Sequence, residues 1–194
     1  MKYSILLLPM INVFASDLFM DLSMAKCLGQ VEVESVTMDQ MSGAGIEGSS
    51  SIYQIGVSVG YSINLTDTIV TEPALGFSII DGFDPIASVA QIYSLEVPLL
   101  YKYKTIKSGV FIKYNYLSGI NVRNADYTAT LDDKQSYSLG LKTIIETRNI
   151  NVIFAYEYLL DAAYDEYKKT STGYTDTQVN LGGSYLSLGI RFKF

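Results

Sequence analysis

The sequence predicts an all-β fold, an eight-stranded antiparallel up-and-down transmembrane β-barrel. Three observations lead to it. Apolar residues alternate with small or polar residues over eight separate segments, which is typical of strands. The connections between those segments are alternately short and long. The apolar side of the segments is too bulky for the inside of so small a barrel. The 194 residues are enough for one domain.

The residues before the first segment form a separate element, MKYSILLLPMINVFAS. Lys2 gives it a basic start, an apolar stretch runs from Ile5 to Phe14, and a small-residue cleavage pattern ends at Ala15. The stretch is shorter than the roughly 20 apolar residues that a membrane-spanning helix needs. We therefore expect a signal peptide over residues 1–15, cleaved near Ala15 or Ser16, and a barrel domain over 16–194.

The segments follow one another in order. The first, near residues 18–25, is the least regular. The second, SSSIYQIGVSVGYSINLTD, is the clearest, because every second residue from Tyr53 to Ile63 is apolar or aromatic, and Gly, Ser or Gln lies between them. The other six predicted strands cover residues 69–79, 93–103, 110–116, 137–145, 152–160 and 186–194.

The connections give the barrel two different ends. Short connections fall near residues 64–68, 104–108 and 147–150, and long loops near 28–50, 81–91, 118–135 and 161–183. This pattern indicates a meander with tight turns at one end and four long loops at the other. Two details stay open to test. Pro98 lies in mid-strand and predicts a bulge, and the first strand could extend through residues 30–36.

The two faces of the segments decide what surrounds the barrel. One face carries Tyr, Phe, Leu, Ile and Val without charge, and the other carries Gly, Ser, Ala and a few charges. Eight strands leave an interior just wide enough for side chains, so the bulky face must point outward into lipid, where a Lys or Arg near mid-bilayer costs ~2–4 kcal/mol. Tyrosines near the strand ends predict an aromatic girdle: Tyr53, Tyr61, Tyr93, Tyr103, Tyr116 and Tyr137.

The charged residues on the inward face predict a lumen charge network. Lys102 and Lys193 fall near the turn end, where we expect water to reach them. Four acids and three bases remain: Asp21, Glu72, Glu96, Lys113, Lys142, Glu157 and Arg191. Unpaired buried charge is expensive, so we expect a salt-bridged plug. A narrow ion path and a proton-active site are the alternatives.

The last strand, YLSLGIRFKF, has Leu188, Ile190, Phe192 and Phe194 at every second position. Together with the signal peptide, the eight segments and the stretch SLEVPLLYKYK, it resembles Gram-negative outer-membrane β-barrels of the small OmpA/OmpX-like type. The resemblance covers essentially the whole mature chain. It implies a place in the bacterial outer membrane, among its lipids and lipopolysaccharide. It also implies that the barrel-assembly machinery reads the terminal strand as an insertion signal.

The amino-acid composition limits the classes of function that the protein can have. A net charge of −6 argues against a nucleic-acid partner. The chain has no His, which removes the usual general base and the commonest metal ligand. We therefore expect no enzyme, no metal site and no cofactor. The expected role of a monomer is structural, or surface interaction with an unidentified ligand through the four long loops. The alternative is a small low-conductance pore, and a weaker one is a lipid-active enzyme.

Overall fold

The computed structural model describes residues 18–28, 31–39, 42–83, 87–124, 127–148, 150–160, 162–169 and 173–194, so the predicted signal peptide lies outside it. Within these ranges no helix is long and apolar enough to cross a membrane. The regular elements are the strands β1 (Leu18–Cys27), β2 (Val31–Asp39), β3 (Ser42–Tyr61), β4 (Ile63–Asn64), β5 (Ile69–Thr71), β6 (Ala74–Phe83), β7 (Ala87–Tyr103), β8 (Ile106–Asn124), β9 (Tyr127–Leu131), β10 (Lys134–Ile145), β11 (Asn151–Leu159), β12 (Ala163–Lys169), β13 (Gly173–Asn180) and β14 (Gly183–Lys193).

Eight of these strands close a ring. Its order is β1, β3, β6, β7, β8, β10, β11 and β14, with β14 returning to β1, and each neighbouring pair is antiparallel. The first and last strands meet in a continuous register in which Asp21 lies opposite Arg191 and Leu22 opposite Ile190. The predicted eight-stranded up-and-down barrel is therefore confirmed.

The outer face of the ring is apolar. Four residues from four well-separated parts of the chain are exposed there: Val57 at 37%, Leu99 at 51%, Phe154 at 47% and Ile190 at 37%. A soluble domain would bury these side chains together, so their exposure around the whole ring requires lipid outside it.

The short connections lie where the sequence predicts them. In the first, the backbone N–H of Leu65 donates to the carbonyl of Ile69 at 2.9 Å, and the N–H of Ile69 donates to the hydroxyl of Thr66 at 3.0 Å. The second is a two-residue turn in which Lys104 takes a left-handed φ of 53°. These turns bring successive strands side by side at one end of the barrel.

The bulge predicted at Pro98 is absent, and that prediction is wrong. Pro98 lies opposite Phe111 in an unbroken register, and the irregularity in this strand pair falls between Val89 and Gln91 instead. On its other side, the ladder stops at the Thr71–Leu99 pair and resumes at Ala74 and Glu96. The missing proline N–H thus falls opposite the break between β5 and β6, so no extra residue is needed. The Thr71 hydroxyl donates to the Pro98 carbonyl at 2.7 Å.

The long connections contain strands as well as loops. β2 pairs with the first half of β3, β13 pairs with β2, and β12 pairs with β13, which gives a four-stranded extension beyond the barrel. β9 pairs with the end of β8. The first strand ends at Cys27 and does not run through residues 30–36. Residues 31–36 belong to β2, which finds its partners in β3 and β13, and residue 30 lies outside the described residues.

Candidate functional site

The barrel interior is the candidate site, because the seven charged residues predicted to face inward all lie there. Successive side chains of a strand point to opposite faces, and on the inward face small Gly and Ser residues lie between the long charged ones and leave room for them. Asp21, Glu72, Lys142 and Arg191 are buried. Glu96, Lys113 and Glu157 keep only slight exposure.

Arg191 forms the centre of the network. Its Nε donates to Asp21 Oδ1 at 2.6 Å and its Nη2 donates to Asp21 Oδ2 at 2.8 Å, the two-pronged geometry that suits a carboxylate. Its Nη1 donates to Glu72 across the barrel. The guanidinium carbon also lies 3.5 Å from the centre of the Phe19 ring. One side chain thus ties β14 to β1 and to the segment between β5 and β6.

Two lysines carry the network through the middle of the barrel. Lys142 Nζ lies 2.7 Å from Glu96 Oε1 and 3.7 Å from Asp21 Oδ2. Lys113 Nζ lies 3.7 Å from Glu96 Oε2 and forms an ion pair with Glu157. Each lysine therefore bridges two carboxylates that come from different strands.

The network contains two residues, Lys107 and Glu146, that the sequence reasoning missed. Lys107 Nζ lies 2.6 Å from Glu72 Oε1 and 3.3 Å from Glu146 Oε1. Glu146 also pairs with Lys193, whose side chain is 42% exposed. Both residues were assigned to or beside turns. Extending the period-2 inward pattern by two steps at the start of β8 and by one step at the end of β10 would have placed them inside.

The ion pairs join into one chain in which acids and bases alternate. In order, it runs through Glu157, Lys113, Glu96, Lys142, Asp21, Arg191, Glu72, Lys107, Glu146 and Lys193. Five carboxylates and five cations leave it formally neutral, where the sequence predicted an excess acid. Every buried charge in this chain has an opposite charge beside it, which offsets the cost of desolvation.

Glu146 lies in the turn that follows β10, at the water-exposed end of the chain. Partial burial raises the pKa of this carboxyl, but the hydrogen bond from Lys193 and the positive charge of Lys107 lower it more. The net result is a pKa below the ordinary value of a glutamate.

An apolar group fills the other end of the interior, and we call it the mouth cluster. It lies at the end with the long connections and was not predicted from sequence, because several of its residues were assigned to loops. Its members are Ala25, Cys27, Ile52, Ile80, Ala90, Ile92, Leu117, Leu159, Ala162, Leu181 and Tyr185. The Tyr185 hydroxyl donates to the carbonyl of Leu181 at 2.6 Å, so its polar atom is satisfied inside the cluster.

Two small polar cavities lie among the charges. One of about 80 Å³ is lined by Asp21, Glu96, Lys113 and Lys142, with Gln54 and several serines. Another of about 100 Å³ lies towards the tight turns, beside Glu72, Lys107 and Lys193. Each has room for a few water molecules. In the described residues, no group of three or more His, Cys, Asp or Glu side chains could hold a metal ion.

The predicted girdle tyrosines lie at both ends of the barrel. Tyr93, Tyr103 and Tyr137 are exposed on the outer face, and Tyr53, Tyr61 and Tyr116 are half-buried. At the long-connection end the rings touch: Phe77 and Tyr93 are 5.3 Å apart between centroids, and Tyr93 and Tyr116 are 6.5 Å apart. Tyrosine suits the boundary between lipid and water because it has an apolar ring and a polar hydroxyl.

The terminal strand places its predicted signal residues on the lipid side. Leu188, Ile190 and Phe194 are exposed there, and Phe192 is half-buried. The backbone N–H of Phe194 donates to the carbonyl of Leu18 at 3.1 Å, so the last residue still belongs to the seam that closes the barrel. Whether this strand acts as an insertion signal stays a prediction.

A closed ring of eight antiparallel strands, with an apolar exterior and a charged interior, defines a class. The chain is a small transmembrane β-barrel of the bacterial outer-membrane type.

Comparison with known proteins adds no family. No protein-family model matches the chain, and no curated protein matches it. Among solved structures it is similar to Neisserial surface protein A, at 16% identity and a TM-score of 0.47, over 91% of this chain and 97% of that one. It is also similar to the outer membrane protein AlkL, at 11% identity and a TM-score of 0.45, over 93% of this chain and 90% of that one. A third similar structure is that of Ail, the attachment invasion locus protein of Yersinia pestis, at 11% identity and a TM-score of 0.42, over 92% of this chain and 100% of that one. Similarity this weak says nothing about function.

Proposed function

We propose that the protein is a non-conducting outer-membrane barrel with a structural and surface-interaction role. The observation that carries this proposal is the filling of the interior, by the mouth cluster at one end and the alternating chain of charges below it. A pore would need a continuous row of water molecules through both.

The energetics favour a plug over a path. An ion that crosses the charged layer must displace a partner from at least one buried ion pair, and breaking such a pair costs about 3–5 kcal/mol. It must then pass the mouth cluster, where no polar lining replaces its water shell. The two cavities, of about 80 and 100 Å³, have room for only a few waters each, which supports a structural role for the charges.

Planar-bilayer recording tests the plug. The refolded protein, checked for folding by its gel shift on heating, should give a current no different from protein-free bilayers. Steady single-channel steps would overturn the plug and favour the alternative of a small low-conductance pore. Comparison with an Arg191→Met variant adds a control, because loosening the network should raise the frequency of transient steps.

The four-stranded extension supports the surface-interaction part. β3 has 20 residues, about twice the 9–11 that a tilted strand needs to cross a bilayer, so its first half extends the sheet beyond the membrane. Cells that display the full protein should adhere to epithelial monolayers better than cells displaying a barrel with β12 and β13 replaced by a short turn. Equal adhesion of folded forms would leave only the structural role.

We propose that the barrel has no enzymatic activity. The absence of His and the engagement of the described interior carboxylates in ion pairs support this. Incubation of the folded protein with phospholipid and lipopolysaccharide should release no fatty acid, and measurable turnover would favour a lipid-active enzyme instead. The proposed partners are outer-membrane lipids, lipopolysaccharide and the barrel-assembly machinery, and the proposed state is a monomer.

A further inference from the structure

The polar cavity near the tight turns has an excess of positive charge in its wall. Its volume is about 100 Å³, and Ser62 and Asn64 contribute polar side chains to it. Four cations and two carboxylates form the charged part of the wall: Lys102, Lys107, Arg191, Lys193, Glu72 and Glu146. Asp21 pairs with Arg191 and offsets one of the positive charges. One to two positive charges therefore stay unbalanced around this cavity.

Lys102 is the cation in this wall that lacks a counter-charge. Its side chain is half-buried, and it forms no ion pair with any carboxylate in the described part of the chain. It lies directly opposite Lys107 in the β7–β8 ladder, and like charges in that position destabilise a sheet. Lys107 is compensated by Glu72 and Glu146. An anion held beside Lys102 would remove the remaining repulsion.

We propose that this cavity binds one tetrahedral oxyanion of the phosphate class, either free phosphate or the phosphate of a monoester. Lys102, Lys107 and Lys193 donate N–H groups to its oxygens. A phosphate group carries between one and two negative charges near neutral pH, which matches the excess in the wall. The Glu146 carboxylate favours hydrogenphosphate over sulfate, because only hydrogenphosphate has an O–H to donate to it.

The position of the cavity sets the side from which the ligand arrives. The short turns of outer-membrane barrels face the periplasm, and the cavity lies at that end of the lumen. The side chain of Lys193 is 42% exposed, so water and small anions reach the cavity there. The mouth cluster closes the opposite end of the interior. The ligand therefore comes from the periplasmic side.

Isothermal titration calorimetry of the detergent-folded protein tests the site, in phosphate-free buffer near neutral pH and at constant ionic strength. Inorganic phosphate should bind at one per chain, about tenfold or more tighter than chloride or sulfate, the size expected for one charge-assisted hydrogen bond. Glycerol 3-phosphate is titrated in parallel. Binding as tight as that of inorganic phosphate supports a monoester ligand, and much weaker binding supports the free ion. The absence of saturable phosphate binding, or equal affinity for phosphate and either other anion, would overturn the proposal.

Variants locate the binding. Lys102→Gln should weaken phosphate binding about tenfold or more, and Lys102→Arg, which keeps the charge, should retain most of it. Lys104→Gln is the matched control, because Lys104 is exposed at the same turn, 5.3 Å from the Tyr103 ring, and does not line the cavity. Its binding should be unchanged. Equal affinities in Lys102→Gln and Lys104→Gln would overturn the site.

The stability of Lys102→Gln separates lost binding from lost folding. In phosphate-free buffer this variant should be at least as stable as the native protein, because it removes the repulsion between Lys102 and Lys107. Added phosphate should stabilise the native protein against urea and leave the variant nearly unaffected. Equal stabilisation of both by phosphate would contradict the proposal. If a variant fails to fold, the anion selectivity of the unmodified protein decides by itself.

Discussion

Arg191 holds two buried carboxylates, Asp21 and Glu72, with a single guanidinium. The pair with Asp21 joins two strands that are 170 residues apart in sequence. The residue therefore links closure of the barrel to neutrality of its interior. Its neighbour at the next inward position, Lys193, makes a similar ion pair in a far more exposed setting.

Arg191→Met should lower the free energy of unfolding by about 3–5 kcal/mol, because it leaves carboxylates buried without their main partner. Lys193→Met, the exposed control on the same strand, should lower it by about 1 kcal/mol or less. Urea unfolding in lipid vesicles, followed by circular dichroism, measures both. Equal losses in the two variants would contradict the central place given to Arg191.

Glu146, at the turn end of the barrel, makes the free energy of unfolding depend on pH. Its pKa is lower in the folded protein than in the unfolded chain, so the stability it contributes is present above the unfolded value of about 4.3 and is lost as pH falls through the folded value. The difference in unfolding free energy between the native protein and Glu146→Gln should be constant from pH 6 to 7 and vanish in strong acid. A difference that grows towards low pH would contradict this sign.

At the scale of single elements, β14 has one observed role and one predicted role. It closes the ring by pairing with β1 and β11, and its sequence matches the predicted insertion signal. Phe194 is 64% exposed, so its side chain contributes little to packing inside the protein. Stability and assembly should therefore respond differently when it is changed.

Phe194→Ser should leave the stability of the refolded barrel within about 1 kcal/mol of the native value, as is usual for an exposed position. In cells it should strongly reduce the folded, heat-modifiable band in the outer-membrane fraction, because the predicted insertion signal includes Phe194. Tyr103→Ser is the control, since it removes an exposed aromatic residue from the same end of the barrel. Equal losses in cells would show that the effect is general to lipid-facing aromatics.

At the scale of the whole molecule, the exterior and interior depend on each other. The ring leaves no open sheet edge in the lipid, and the alternating charges fill the space that the ring encloses. Closure should make the folded barrel resist detergent, so that an unboiled sample migrates differently from a boiled one. A chain truncated before β14 cannot close and should show no such shift. Identical migration of the two full-length samples would contradict a closed barrel.

The fold could largely be predicted from the sequence because lipid requires every second residue of each barrel strand to be apolar. Val57, Leu99, Phe154 and Ile190 belong to the outer face by alternation alone, and seven interior charges were found in the same way. Lys107 and Glu146 were missed because a turn boundary cannot be located to a single residue from pattern. The mouth cluster was missed because its inward Ile and Leu residues continue strands into segments that resemble loops.

By itself, then, the sequence determined the number of strands in the barrel, their order and the side of each that faces lipid, because period-2 alternation is a local property of the chain. Only the tertiary structure decided which charges meet. Lys142 reaches Glu96 and Arg191 reaches Glu72 across the barrel, and those pairings depend on strand tilt, on register around the closed ring and on which side chains the glycines make room for. The break opposite Pro98 and the position of Lys102 opposite Lys107 likewise exist only once neighbouring strands are in register.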